Sequence, residues 1–134
     1  MKIKDVMITL EKFPVVSENL FLKEALDEMS EKKIGIACII DENFNLKGIL
    51  TDGDLRRKLL NVQKPLSAIF VDDCIEHAIL SPTVINPETS LLDAIEIMGS
   101  KRIWDLPVVD DNGKLIGLLH LHPVVKSLLN NKSM

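Results

Sequence analysis

The chain has 134 residues, 46% hydrophobic and 27% charged, the proportions of a folded protein of single-domain size rather than a disordered one. Its net charge of −4 argues against nonspecific binding to nucleic acid or to an anionic membrane surface. No apolar run approaches the ~18 residues of a membrane span, and the N-terminus Met1-Lys2-Ile3-Lys4-Asp5 lacks the long apolar segment of a signal peptide.

In chain order, Pro14-Val15-Val16 is a short β-prone segment. Leu22, Ala25, Leu26 and Met29 then recur at helical spacing and make one apolar stripe. A strand from Ile36 to Ile40, a turn at Asp41-Glu42-Asn43 and a returning strand from Leu46 to Leu50 predict a hairpin. A helix from Asp54 to Leu60 closes the series, and Asn61 to Pro65 forms a junction. The series then repeats. Thr83-Val84-Ile85 is β-prone, and Leu91, Leu92, Ala94, Ile95 and Met98 form the second stripe, with Ser90 and Asp93 resembling a capping box. A strand from Leu106 to Val109, a turn at Asp110-Asp111-Asn112-Gly113, a strand from Leu115 to Leu119 and a helix from Val124 to Leu129 complete it. Aromatic residues are only 4%, without tyrosine, so the core falls to Leu, Ile, Val and Met. Cys38 and Cys74 fit no CxxC spacing and sit among apolar neighbours, which reads as buried free thiols of a cytoplasmic protein.

An ungapped offset of 69 pairs Leu22 with Leu91, Ala25 with Ala94, Met29 with Met98, Ile34 with Ile103, Asp41 with Asp110, Asn43 with Asn112, Leu46 with Leu115 and Gly48 with Gly117. The chain is therefore two copies of one unit, 1–62 and 63–134, each a β-α-β-β-α series in an α+β fold. Neither copy alone has a generous core, so a pseudo-twofold pair sharing one is the economical architecture, with equivalent clefts on either side of the axis.

The stretch Gly48-Ile49-Leu50-Thr51-Asp52-Gly53-Asp54-Leu55-Arg56-Arg57 carries the chemistry. A buried strand ends, a turn follows and a helix begins, leaving free N–H groups that favour an anion. Thr51 can offer a hydroxyl to a phosphate, Asp54 can accept from the two hydroxyls of a ribose, and Arg56 and Arg57 add positive charge. The same residues also read as an ordinary T-x-x-D helix cap with two solvated arginines, and the spacing leaves both readings open. In the second copy His120 stands in place of Thr51 and Pro123 in place of Asp54. Proline is comfortable in a first helical turn but cannot accept through its side chain, so ribose recognition is expected to be lost there. His120 and His122 flank Leu121 without a confident third ligand, which favours structural or anion-contacting roles and no metal site. Trp104-Asp105 replaces Gly35-Ile36, and Trp104 either fills the space of a base or covers a dimer surface. No nucleophile–base pair, phosphate loop or metal spacing points to catalysis.

The repeat, the strand order, the Gly-hydrophobic-hydrophobic-Thr-x-x-Asp ending, the opening Asp5-Val6-Met7 with its altered recurrence Asp73-Cys74-Ile75, and Leu106-Pro107-Val108-Val109-Asp110 together resemble a tandem CBS domain pair, or Bateman module. That resemblance implies an α/β-type CBS fold and a non-catalytic regulatory role. It also implies a cleft for a nucleotide-type ligand, with the base against Val15, Val16, Gly35, Ile36 and Ala37, the ribose on Asp54 and the phosphate on Thr51, near Arg56 and Arg57. A second, degenerate cleft would involve Val84, Trp104, Asp105, Leu106, His120 and Pro123. The string Thr51-Asp52-Gly53-Asp54-Leu55-Arg56-Arg57 with Gly117-Leu118-Leu119-His120-Leu121-His122 resembles the C-terminal CBS pair of bacterial arabinose-5-phosphate isomerases, enzymes of the Kdo pathway. A related string occurs in CBS pairs fused to sugar nucleotidyltransferases. What this implies is a ligand such as AMP, ADP, ATP or CMP-Kdo, no required cofactor, and a homodimer through the CBS pairs. The regulated partner would be an isomerase domain not contained in this chain, making the chain an excised tail or a stand-alone homologue. The alternative is an interaction module with closed clefts.

Overall fold

The computed structural model describes residues 1–121 and Val125. The helix expected from Val124 to Leu129, with His122 and Pro123 before it, lies outside the described residues except for Val125. The chain divides into two compact units, Glu11–Pro82 and Met1–Leu10 with Thr83–Met134. The repeats are cut differently from these units, because each repeat core carries a leading segment from elsewhere in the chain.

In the first unit β1 (Val15–Ser17), α1 (Leu22–Lys32), β2 (Ile36–Ile40), β3 (Leu46–Thr51) and α2 (Asp52–Asn61) follow one another, and a short α3 (Leu66–Phe70) lies beyond the junction. The sheet order is β1-β2-β3, with β1 parallel to β2 and β2 antiparallel to β3, placing Ile36 opposite Thr51. Leu22, Ala25 and Met29 of α1 pack with Ala37 and Ile39 of β2 and Leu50 of β3. The other β2 residues, Ile36, Cys38 and Ile40, are also buried, so β2 is covered on both faces, which its unbroken apolar run requires.

The second unit repeats the plan with α4 (Leu91–Lys101), β4 (Asp105–Val109) and β5 (Leu115–His120). The strand expected at Thr83-Val84-Ile85 is reduced to one parallel bridge between Ile85 and Val108. The cause is Pro107. In the first unit the Cys38 N–H donates to the Pro14 carbonyl at 2.9 Å. Pro107 occupies the position of Cys38 and has no N–H to give, so only the bonds from Ile85 N–H to Pro107 O and from Val109 N–H to Ile85 O remain.

The helix starts share one device unequally. Ser90 Oγ accepts from the Asp93 N–H at 3.2 Å, whereas in the first unit the Phe21 N–H donates to Glu24 Oε1 at 3.3 Å. Both helices end on a residue in the left-handed conformation, Lys33 and Arg102. Leu92, expected in the second stripe, is 71% exposed. It sits where Lys23 stands in the first copy, one residue off the buried line of Leu91, Ala94 and Met98.

Backbone bonds define the leading segments. The Ile3 N–H donates to Thr89 O, the Leu91 N–H to Met1 O, and Ile8 and Leu118 exchange two bonds. In the first unit the Cys74 N–H donates to Leu20 O, the Leu22 N–H to Asp72 O, and Ile79 and Ile49 exchange two bonds. The two sets correspond when the leading segments are offset by 71 and the repeat cores by 69. The duplicated element is thus present, but Ile3 rather than Asp5 aligns with the Asp73-Cys74 region, and Ile3 and Cys74 are both fully buried. A Cβ added at Gly48 or Gly117 would come within 2.9 Å of the Ile79 or Ile8 carbonyl oxygen, so both glycines are required by this backbone approach.

The hairpin turns share their backbone-to-aspartate bonds. Asp41 Oδ1 accepts from the Asn43 and Asn45 N–H groups, and Asp110 Oδ1 from those of Asn112 and Lys114. Gly113 takes a φ of 81° comfortably; Phe44 occupies the same position at 65°. Cys38 and Cys74 are buried free thiols, and burial pushes the Cys74 thiol up to about 11. Among the described residues, no helix is long and apolar enough to cross a membrane.

Candidate functional site

The end of β3 and the start of α2 bring Thr51, Asp54 and Arg57 together. Thr51 is the N-cap of α2, and its hydroxyl oxygen accepts from the Asp54 N–H at 3.2 Å. The same hydroxyl donates to Asp54 Oδ2 at 2.6 Å, and Arg57 Nη2 donates to Asp54 Oδ1 at 2.6 Å. Capping and ligand recognition are therefore not exclusive: the cap is what orients the Asp54 carboxylate. The Thr51 hydroxyl is the main reason the Asp54 carboxyl lies below its ordinary range, and Arg57 adds to this while partial burial opposes it. Asp54 is ionised at neutral pH, and each of its oxygens keeps a further lone pair for a donor.

The other expected residues are distributed around this junction. Ile36 lies opposite Thr51 across the ladder, and Ala37 follows it; Ile36 is 1% and Ala37 0% exposed, so neither presents open surface at the junction. Gly35 is exposed, and its carbonyl accepts from the Asp52 N–H at 3.1 Å. A Cβ at Gly35 would stand 2.7 Å from Asp52 Oδ2, so the glycine leaves room for that carboxylate. Val16 is buried and Val15 half-buried on β1, the far strand of the sheet. Arg56 lines a groove of about 340 Å³ with Leu22, Leu26 and Phe70. A cleft of about 270 Å³ runs beside Gly35 and Asp52, bordered by Ser30 and Lys33.

In the second copy, Asp105 lies opposite His120 across β4 and β5, the register of Ile36 and Thr51. His120 Nδ1 is 2.5 Å from Asp105 Oδ1, a pairing not seen from the sequence although the hairpin register could have supplied it. Burial pushes the Asp105 carboxyl up, and the hydrogen bond and charge of His120 act the other way. Leu106 is buried, Val84 is exposed, and Trp104 is 65% exposed while its carbonyl accepts from the Leu121 N–H at 3.0 Å. Trp104, Met98, Ile103 and Leu121 line an apolar cleft of about 400 Å³. Pro123, expected to remove ribose recognition from the second cleft, lies outside the described residues.

The family model described as CBS domain matches residues 3–61 and 75–129. Among curated proteins, an uncharacterized protein of Helicobacter pylori (strain J99) is 38% identical over 93% of this chain and 36% of its own length. The arabinose 5-phosphate isomerase KdsD of Yersinia pestis is 32% identical over 95% of this chain and 37% of its own length. The chain thus spans little more than a third of the curated relatives it matches. Among solved structures, CBSX2 in complex with AMP is 32% identical, covers 98% of both chains and superposes with a TM-score of 0.84. The fold is that of a CBS pair, and the chain belongs to the CBS domain family.

Proposed function

We propose that this CBS pair is a regulatory module that binds an adenine nucleotide or a nucleotide-sugar such as CMP-Kdo in the Thr51/Asp54 cleft, and thereby adjusts a sugar-phosphate isomerase. The observation that carries this reading is the Thr51–Asp54–Arg57 junction, where an ionised carboxylate is held by a helix cap beside a strand end. The AMP bound by CBSX2, at 32% identity over nearly the full chain, supports an adenosine ligand. The likeness to KdsD favours an isomerase over the alternative of a sugar nucleotidyltransferase as the regulated enzyme. Catalysis then belongs to the isomerase and not to this pair, and the setting is cytoplasmic.

A ribose diol reaching Asp54 meets Arg57 on one carboxylate oxygen. The Arg57 side chain is 62% exposed, so it can swing from Asp54 to a ligand phosphate without breaking buried packing. The ligand acts by preferring one state of the attached enzyme over another. Dimerisation through the CBS pairs is supported by exposed apolar residues at the end of α2, Leu59 and Leu60, and at the two ends of α3, Leu66 and Val71.

The test is a thermal melt against AMP, ADP, ATP, S-adenosylmethionine, CMP and CMP-Kdo. A ligand at a hundredfold over its Kd should raise Tm by roughly 5–10 °C. A shift retained in Asp54→Ala would contradict the site. No shift with any ligand would favour the second reading, an interaction module, for which the exposed Trp104 over its apolar cleft is the specific observation.

A further inference from the structure

Among the described residues, one group of three or more His, Cys, Asp or Glu side chains brings its donor atoms together: Asp72, Glu76 and His77. We propose that these three form a binding site for a borderline divalent cation of the zinc type, on the segment that clamps the first repeat core and apart from the Thr51/Asp54 junction.

The donor atoms all lie within 4.8 Å of one another, and Asp72 Oδ2 is 2.9 Å from His77 Nε2. A tetrahedral ion ~2.1 Å from each of two ligand atoms holds them ~3.4 Å apart, so Asp72 and His77 need to separate by only about half an ångström from their hydrogen-bond distance to chelate it. Glu76 is the exposed member of the set, and its carboxylate lies within the same 4.8 Å. One imidazole nitrogen and two carboxylate oxygens suit zinc, cobalt, nickel or manganese better than calcium, which prefers an all-oxygen shell.

The backbone under these side chains is fixed before any ion arrives. The Asp72 carbonyl accepts from the Leu22 N–H at 2.8 Å, the Cys74 N–H donates to Leu20 O at 2.8 Å, and Lys58 Nζ donates to Glu76 O at 3.0 Å. His77 is held with its side chain 12% exposed. Lys64 marks the position as one that attracts a cation: its Nζ lies 2.9 and 3.2 Å from the two Asp72 oxygens. That ammonium competes with a metal ion. The leading segment of the other unit is an internal control, since the offset of 71 puts Met1, Asp5 and Val6 at the corresponding places, where no such set can form.

The test uses the full chain, stripped with EDTA and dialysed, and zinc chloride as probe. Zinc at a hundredfold over its Kd should raise Tm by roughly 5–10 °C. His77→Gln should abolish the shift and Glu76→Gln should weaken binding by about tenfold or more. Lys64→Met should strengthen it, because the competing ammonium is gone. Cobalt should give a visible absorption band that His77→Gln removes. Glu76 is exposed, so its variant keeps the test valid if His77→Gln folds poorly. The absence of a shift with zinc, cobalt and nickel alike overturns the site. Equal shifts in the wild type and Glu76→Gln overturn it too, by placing the metal elsewhere.

Discussion

The two repeats build the same cleft from opposite materials. Around Met29 in the first and Met98 in the second the lining positions correspond at the offset of 69, Val125 being an addition in the second, yet Ser30, Gly35 and Asp52 of one cleft become Gly99, Trp104 and Leu121 of the other. The junction above them differs in kind as well. Thr51 orients a carboxylate from its own helix, whereas His120 is paired with a carboxylate from the neighbouring strand. Meanwhile the hairpin turns, the helix ends and the leading-segment bonds are shared. The difference teaches that this scaffold is held by backbone contacts and an apolar stripe. The side chains at the strand end and helix start are therefore free to diverge in function without loss of fold.

The largest expected effect breaks that comparison at the proposed ligand positions. Asp54→Ala should weaken a ribose-containing ligand by ~1.5–3 kcal/mol, while His120→Ala should leave that affinity unchanged; parallel titrations of the two variants compare them directly. Next come the shared glycines. Gly48→Ala and Gly117→Ala should each destabilise by ~1–3 kcal/mol in urea unfolding, because in both a backbone carbonyl must move. A cost in only one of them would mean that the leading segments are not held alike. Ser90→Ala should cost ~1 kcal/mol through the lost cap. Phe44→Gly should instead raise stability by ~0.5–1 kcal/mol, since Gly113 already shows which residue that turn prefers.

The smallest effects are in pH dependence, and they have opposite signs in the two repeats. Asp54 has a depressed folded pKa, so its contribution is present above its ordinary value of 3.8 and is lost as pH falls through the folded value. Asp105 has a raised folded pKa, so the stability tied to its protonated form is present at low pH and lost as pH rises through the folded value. Asp54→Asn should therefore flatten the acid limb of stability against pH, and Asp105→Asn should steepen it. Slopes of the same sign would contradict these environments.

Much of the fold was legible because its determinants are side-chain patterns. The stripe of Leu22, Ala25 and Met29, the run from Ile36 to Ile40 and the Asp-x-Asn turns each announce their element. The leading segments were only half legible. Their docking uses backbone N–H and C=O groups that any residue supplies, so the offset of 71 leaves little trace beyond Ile8 and Ile79. The loss of the second parallel strand could have been read from Pro107 once its place in the ladder was known. Arg56 and Arg57 are neighbours in sequence with the same charge, and only the helix phase sends one to Asp54 and the other to the groove with Phe70. The Asp72, Glu76 and His77 set was invisible because a turn, not a spacing rule, gathers it.

The most direct test of the central claim is a calorimetric titration of the wild-type chain and of Asp54→Ala with AMP, the ligand bound by the CBSX2 relative. The account predicts one ribose-recognising site per chain, with affinity falling roughly 10- to 150-fold on Asp54→Ala. Two equal sites, or a single site indifferent to Asp54, would contradict it and place recognition outside the Thr51/Asp54 cleft.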